Sequence, residues 1–423
     1  MTPEQLGEDP TVATLSGVQR HEWLAKLHAN HLPVDEDVHD VPMYEVSLGG
    51  IMGINDSERW VTIGTPIWVS LSLFDRGTLV WRVRKKDTLD LKVLKNVWYG
   101  GARASAPEAH RLIEGKHPGV ACCDGFNVLF PGTASPISTN LLRGNLDPSP
   151  SKNRTLYRLL YPPGRSLFEA CSELELIRGM RAALRGHEFL CSQSILHRDI
   201  GVDNILLSCD DELREGAEGF LIDLELAIYT GPTIEYRTLA PIRLPTGRVL
   251  NDVQVKHLHW TTSVANRGAP VTGTLQFMAA ELLASLDDSL RSTGRPVQYV
   301  PVEHQTHHDI ESFIWVLLYS LIRRVIVTSR QNLSAEEETW MQSLKMEFKH
   351  YYGQRAPDGI LAQRSNDRPW KVVVDYPPFF SDAIRELIGQ LSDHLEYKRT
   401  NPLSHTAVLD VLDIAIRRLS QSE

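Results

Sequence analysis

The sequence predicts an α+β fold, a small antiparallel β-rich part followed by a larger α-helical part. Three observations carry this expectation. From about Trp60 the sequence turns strand-like, with "TLVWRVRK" and "LDLKVLKNVW" alternating with period two, as in strands buried on one face. After Pro162-Pro163-Gly164 the apolar residues recur at helical spacing. Between the two regimes lie short polar loops flanked by apolar chain, of which "SILHRDIGVDNILLS" (residues 194–208) is the clearest.

Residues 1–60 read as an N-terminal extension, in which "HEWLAKLHANHL" suits a short amphipathic helix ahead of the acidic "VDEDVHD". Residues 61–160 form the β-rich part. In "TLVWRVRK" Leu79, Trp81 and Val83 share one face, with Arg82 and Arg84 on the other. "LDLKVLKNVW" alternates again, and "KKDT" between the two suits a hairpin turn. "SAPEAHRLIEG" opens with a capping signature and ends at a glycine, so a helix is expected there. Residues 161–423 form the helical part. "FEACSELELIRGMRAALRGHEFL" predicts a helix, "GFLIDLELAI" a strand, and about 229–272 a long irregular insertion. The remainder is expected to be mostly helical. Its longest apolar run, "FIWVLLYSLI" (residues 313–322), is roughly half of what spans a bilayer and reads as a buried helix.

Composition excludes some functions. A chain of 423 residues can bury sizeable cores in two lobes. A net charge of −9 argues against a general nucleic-acid or anionic-membrane binder, which would present a basic surface. Cys122, Cys123, Cys171, Cys191 and Cys209 show no C-x-x-C spacing, so inert, mostly buried thiols of a reducing compartment are expected. The polar, acidic start shows no signal peptide. The expected location is cytoplasmic, with the nucleus as the alternative, and the oligomeric state is not legible.

The chemistry gathers in the polar loops. Asp199 and Asn204 lie in one tight loop, and Asp223 follows three apolar residues in "FLIDLELA", at a strand end where its carboxylate can leave the core. Asn204 and Asp223 offer hard oxygen ligands of the kind magnesium takes, and Asp199 is a third oxygen group available as a base. "GTLQFMAAELL" and "HHDIESFIWVLLYSL" follow in that order.

These residues resemble the fungal-type protein kinase family (FunK). "HRDIGVDN" (197–204) is similar to the H-R-D-x-x-x-x-N catalytic loop of protein kinases, and "DLE" (223–225) stands where D-F-G is expected. "GTLQFMAAE" (273–281) resembles the end of an activation segment, and Asp309 in "HHDIESF" the buried aspartate that opens a large central helix. The resemblance covers about residues 65 to 415 and implies a two-lobed protein kinase-like fold, with a small antiparallel β-rich N-lobe over 61–160 and a larger helical C-lobe over 161–423. It implies a Ser/Thr-type protein kinase that binds ATP with Mg²⁺, or alternatively Mn²⁺, and acts on protein or peptide substrates. Asp199 would accept the substrate proton, Asn204 and Asp223 would hold metal, and Thr274 would bond near Asp199. Arg198 would tie the loop to the activation segment. Of the two strand lysines, Lys95 fits the phosphate-binding role better than Lys92, because Val93 two residues earlier can pack on adenine whereas Asp90 cannot. Glu108 is the candidate partner of Lys95 with Glu114 as fallback, although Ser105 and Glu108 also form a capping box. Glu281 is expected in a buried structural pair with Arg399. His307 and His308 are given a structural role, because no second cluster completes a metal site.

The pattern departs in three places. Gly77 stands alone where a glycine-rich loop is expected to cradle phosphates. Gly201 occupies the position of a phosphate-contacting lysine, and Glu225 replaces the glycine of D-F-G. The insertion at about 229–272 carries Arg237, Arg243, Arg248, Lys256 and Arg267 against Glu235 and Asp252. It reads as a solvated loop, or as a lid or docking surface with Thr261, Thr262 and Ser263 as phosphosites. Two rivals stand beside the kinase reading. One is a pseudokinase that binds nucleotide or scaffolds partners, suggested by the eroded glycine loop. The other is a small-molecule phosphotransferase of aminoglycoside or choline type, which also uses such a loop and aspartate.

Overall fold

The computed structural model describes residues 9–33, 41–48, 58–70, 77–100, 109–110, 112–129, 135–144, 153–210, 214–230, 233–238, 242–243, 249–250, 254–259, 274–291, 302–328, 333–366, 368–397 and 402–422. Among the described residues, seven strands form one antiparallel sheet. They are β1 (Val12–Thr14), β2 (Tyr44–Ser47), β3 (Arg59–Val69), β4 (Leu79–Lys85), β5 (Leu91–Gly100), β6 (Asp124–Asn127) and β7 (Arg154–Tyr161), in the order β1-β2-β3-β4-β5-β7-β6. The period-two pattern becomes two apolar faces. Trp81, Val83, Leu94 and Leu160 pack with Val46, Leu48 and Trp60 on one side. Val97, Tyr99, Leu159 and Tyr161 pack with Ala121 and Phe220 on the other. Lys95 shares this second face, since side chains alternate along a strand. Strand β5 is central, with Lys95 paired to Val80 on one side and Leu159 on the other, so its backbone is fixed from both edges.

Residues assigned from sequence to the N-terminal extension are built into this sheet. Strands β1 and β2 continue its edge, and helix α1 (Gly17–Ala29) lies against it. Ser16 and Gln19 close a capping box at the helix start, while Trp23 and Leu27 pack on Met43 and Val61. Arg158, fully buried on β7, bonds Asp9, the Thr11 hydroxyl, the Ser47 carbonyl and Asn96, which ties the first strands to the sheet centre. A buried guanidinium is tolerated because its donors are met and Asp9 supplies the opposite charge.

Helix α2 (Thr139–Leu142) precedes β7, and the second part is mainly helical: α3 (Glu173–Ser192), α4 (Ala280–Arg291), α5 (Thr306–Val327), α6 (Ala335–Tyr352), α7 (Pro357–Asn366), α8 (Lys371–Asp375), α9 (Asp382–Tyr397) and α10 (His405–Ser422). Helix α5 contains the apolar run "FIWVLLYSLI" and is buried on nearly all sides, in one core with α3, α9 and α10. No helix among the described residues is long and apolar enough to cross a membrane. Gly119 and Gly186 let the chain before the second part touch α3: a Cβ on Gly186 would fall on the Gly119 carbonyl oxygen.

Short strands frame the loops between the two parts. Strands β8 (Gly164–Ser166), β10 (Ile205–Ser208) and β11 (Gly219–Leu221) form one small sheet, and β9 (Ile195–Leu196) pairs with β12 (Ile228–Tyr229). The expected strand "GFLIDLELAI" is therefore split by a 3-10 turn at Leu224–Leu226. The insertion is not irregular throughout. Its described backbone forms nested antiparallel pairs, β13 (Thr233–Thr238) with β16 (Gln254–His259) and β14 (Ile242–Arg243) with β15 (Val249–Leu250). "TIEYRT" alternates, with Ile234 and Tyr236 two residues apart, which is the strand signal there; "QVKHLH" carries no such period. Cys122, Cys171 and Cys209 are exposed rather than buried, because all three lie outside the packed faces of the elements, and all five cysteines are free thiols.

Candidate active site

The stretch "SILHRDIGVDNILLS" folds as β9, a loop and β10. Ile195, Leu196, Ile205 and Leu207 are all buried, and each short strand pairs with another, so both loop ends are anchored. Within the loop His197 is fully buried. Its Nε2 donates to the Ile222 carbonyl at 3.0 Å, and its Nδ1 accepts the Asp199 N–H at 3.3 Å. Burial holds its pKa below the usual value, which fits a neutral ring braced between loop and strand. Asn204 Nδ2 donates to the Asp199 carbonyl at 2.8 Å, and the Ile222 N–H donates to the Asn204 carbonyl at 3.0 Å. The loop and the segment leading to Asp223 are thereby one unit.

Asp199 Oδ1 accepts the Thr274 N–H at 3.2 Å, with the Thr274 hydroxyl at 3.5 Å. Burial pushes the Asp199 carboxyl up, and the nearby Asp223 charge adds to that push, against His197, Thr274 and Asn204. Gly201 packs on the same threonine: a Cβ there would stand 3.4 Å from Thr274 Oγ1.

Lys95 reaches this site from the sheet. Its Nζ lies 2.8 Å from Asp223 Oδ2 and 2.7 Å from Glu225 Oε1. The Tyr99 hydroxyl donates to the same Glu225 oxygen at 2.6 Å. Asp223 is in the left-handed region (φ 64), unusual for a residue with a side chain and a point where the chain turns sharply between β11 and the 3-10 turn. Glu108, the partner expected for Lys95, lies outside the described residues; among the described residues the carboxylates on Lys95 are Asp223 and Glu225. Glu114, the fallback, bonds Gln193 through its backbone. Gly77, two residues before β4, has φ +56, and a Cβ there would come within 3.3 Å of the Trp98 ring.

Asp309, near the start of α5, is buried and fully used. Oδ1 accepts His304 Nε2 at 2.7 Å, and Oδ2 accepts His187 Nε2 and the Arg198 N–H, both at 3.0 Å. Arg198 itself sits at φ 69, a conformation this bond helps to hold. Burial works against a charged His187, yet its bonds to Asp309 and Cys191 raise it to about 10. Charged, it donates Nδ1–H to His405 Nε2 at 2.8 Å; burial beside that charge pushes His405 down to about 4. The group His187, Cys191 and His405 has donor atoms near enough for a metal, as do Glu281, His307 and His308. In the first group the two imidazoles are already satisfied by each other and by Asp309.

The expected buried pair of Glu281 with Arg399 is corrected in part. Arg399 lies outside the described residues, and the Glu281 side chain is 58% exposed, bound by His308 at 3.1 Å and near His307 at 3.7 Å. At the helix start its carboxylate faces solvent rather than the core. The buried cation beneath this segment is Arg364 on α7. It donates to the Gln276 and Met278 carbonyls at 2.7 and 2.6 Å and lies 4.0 Å over the Trp315 ring. Burial lowers it to about 10, against the pull of Glu311. Glu311 in turn accepts the Ala280 N–H and Trp315 Nε1.

The structure thus brings together Lys95, Asp199, Asn204, Asp223 and Thr274, with Arg198 and Asp309 directly behind them. The positions at 261–263 lie outside the described residues. Sequence reasoning missed Tyr99, Arg364 and the Lys95 contact of Glu225. Tyr99 was within reach, since period two places it on the face of Lys95 and Val97. Arg364 gave no local signal.

No curated protein matches the chain. Residues 114–321 match the family model described as fungal protein kinase. The match takes in the Asp199 loop, Asp223, the Thr274 segment and Asp309, whereas Lys95 and Gly77 precede it. Over residues 114–321, the chain is thus similar to the fungal protein kinase family.

Proposed function

We propose that the chain is an active protein kinase, transferring the γ-phosphate of ATP to serine or threonine hydroxyls of protein or peptide substrates. One observation carries this reading. Four sequence-distant segments converge so that Lys95 pairs with Asp223 while Asp199, bound to Asn204 and Thr274, has no lysine or arginine partner among the described residues.

Phosphoryl transfer needs positioning and charge neutralisation more than covalent help. Asp199 orients the acceptor hydroxyl and takes its proton as the oxygen attacks the γ-phosphorus; ADP leaves as the bond to its terminal oxygen breaks. The raised Asp199 pKa favours that proton acceptance. Thr274 keeps the carboxylate turned to the acceptor, and Lys95 meets the nucleotide phosphates. A divalent cation, Mg²⁺ or Mn²⁺, fits the donor set. Asp223 Oδ1 is buried with no hydrogen-bond partner among the described residues, and Asn204, its Nδ2 committed, has Oδ1 to give. Those two residues would hold the cation, which when bound neutralises phosphate charge.

Incubation with radiolabelled ATP and a degenerate peptide library, in Mg²⁺ and in Mn²⁺, tests the assignment. Label on Ser/Thr peptides is the expected result. Label on tyrosine peptides alone, or on free choline or aminoglycosides alone, contradicts it.

A further inference from the structure

We infer that Glu225 is the carboxylate that positions Lys95 for nucleotide, so that the turn bearing Asp223 also sets the lysine. The inference rests on the kinase reading above and concerns how its site is held.

Glu225 stands in the 3-10 turn Leu224–Leu226, two residues after Asp223. Its side chain is 6% exposed, which is costly for a carboxylate unless it is paired and hydrogen-bonded. Both needs are met on one oxygen: Lys95 Nζ at 2.7 Å and the Tyr99 hydroxyl at 2.6 Å. Tyr99 lies on β5 with Lys95, so the strand that carries the lysine also aims the carboxylate that grips it. Tyr99 is buried against Tyr157, which restricts the ring. An ammonium has three donors. Among the described residues Asp223 and Glu225 take two, which leaves one for phosphate. The two carboxylates differ. Asp223 has a second oxygen with no hydrogen-bond partner among the described residues and suited to a cation, whereas the Glu225 oxygen that meets Lys95 is already shared with Tyr99. Glu225 is thus the fixed anchor and Asp223 the ligand that serves nucleotide. The residue that breaks the D-F-G pattern supplies a lysine partner from within the same turn.

The test uses the full chain as wild type, Glu225→Gln, Glu225→Asp and Tyr99→Phe. Two readouts are taken: ATP KM against kcat in peptide phosphorylation, and the rate at which an amine-acylating ester labels Lys95, read by peptide mass. Melting temperatures confirm folding. Glu225→Gln is expected to raise ATP KM by about tenfold and to speed Lys95 labelling several-fold. Glu225→Asp should recover part of both, and Tyr99→Phe should shift both in the same direction by less. A Glu225→Gln protein with wild-type KM and labelling overturns the inference, as does finding the effect on Glu108→Gln instead. If the wild type transfers no phosphate yet Glu225→Gln still speeds Lys95 labelling, the kinase reading fails and the positioning role stands.

Discussion

Asp199 and Lys95 are each held in place by neighbouring side chains. The Asp199 carboxylate is partly buried, pushed up in pKa by that burial, and turned by Thr274; its backbone carbonyl is pinned by Asn204. A base must be ionised to accept a proton. Because the Asp199 pKa lies above its ordinary 3.8, transfer should fall on the acid side at a pH above that value. A kcat profile over pH checks this, and a limb at or below the ordinary carboxylate value would oppose it. Gly77 is a second residue-scale case. Its φ of +56 and the nearby Trp98 ring leave little room for a side chain, so Gly77→Val should lower ATP affinity and cost about 1–2 kcal/mol of stability. Isothermal titration with ATP and urea melts would measure the two effects separately.

Elements act through their contacts with the loops. Helix α5 holds the loop from His197 to Asn204 through Asp309, and α7 holds the segment from Gln276 to Met278 through Arg364. Removing the guanidinium leaves two carbonyls without their donor, at a cost on the order of 1–3 kcal/mol each. Arg364→Met, which keeps the packing on Trp315, should therefore lower the urea midpoint clearly; an unchanged midpoint would show that water replaces the guanidinium without penalty. The α3–α10 contact adds a pH dependence. His187, raised to about 10, contributes stability in full below about 6.5 and loses it as pH rises toward 10. His405, lowered to about 4, costs stability as pH falls from 6.5 toward 4, because the unfolded state takes up the proton first. Asp309 has its pKa lowered well below 3.8, so its contribution persists until pH falls lower still. His187 also has His405, Cys191 and Asp309 around it, and Arg185 and Glu188 bear on the His405 side. Stability should peak near 6.5, and His187→Gln should flatten the alkaline fall. Urea midpoints across pH measure both.

At the scale of the whole molecule, a twisted β part and a helical part meet where the polar loops lie. That arrangement was legible in the sequence because strands and helices leave different periods, and because the loop from His197 to Asn204 is bracketed by apolar chain that only a core explains. Lys95 was legible by alternation, and the sheet places it on the face that meets Phe220 and Asp223. Contacts set by tertiary packing were not legible. Glu225 reads as a lost glycine until the turn brings it to Lys95, and Arg364 lies far along the chain from the carbonyls it binds. Residues 12–14 and 44–47 are too short to announce themselves as sheet strands, and their pairing depends on Arg158 across the fold. The central claim is that this junction transfers phosphate with Asp199 as base. Its most direct test is peptide phosphorylation by the wild type and Asp199→Asn side by side, with an ATP-induced melting shift on each. The account predicts transfer by the wild type, a loss of about 10²–10⁴-fold in the variant, and the ATP shift kept in both. ATP binding with no transfer by the wild type, or transfer undiminished in Asp199→Asn, would contradict it.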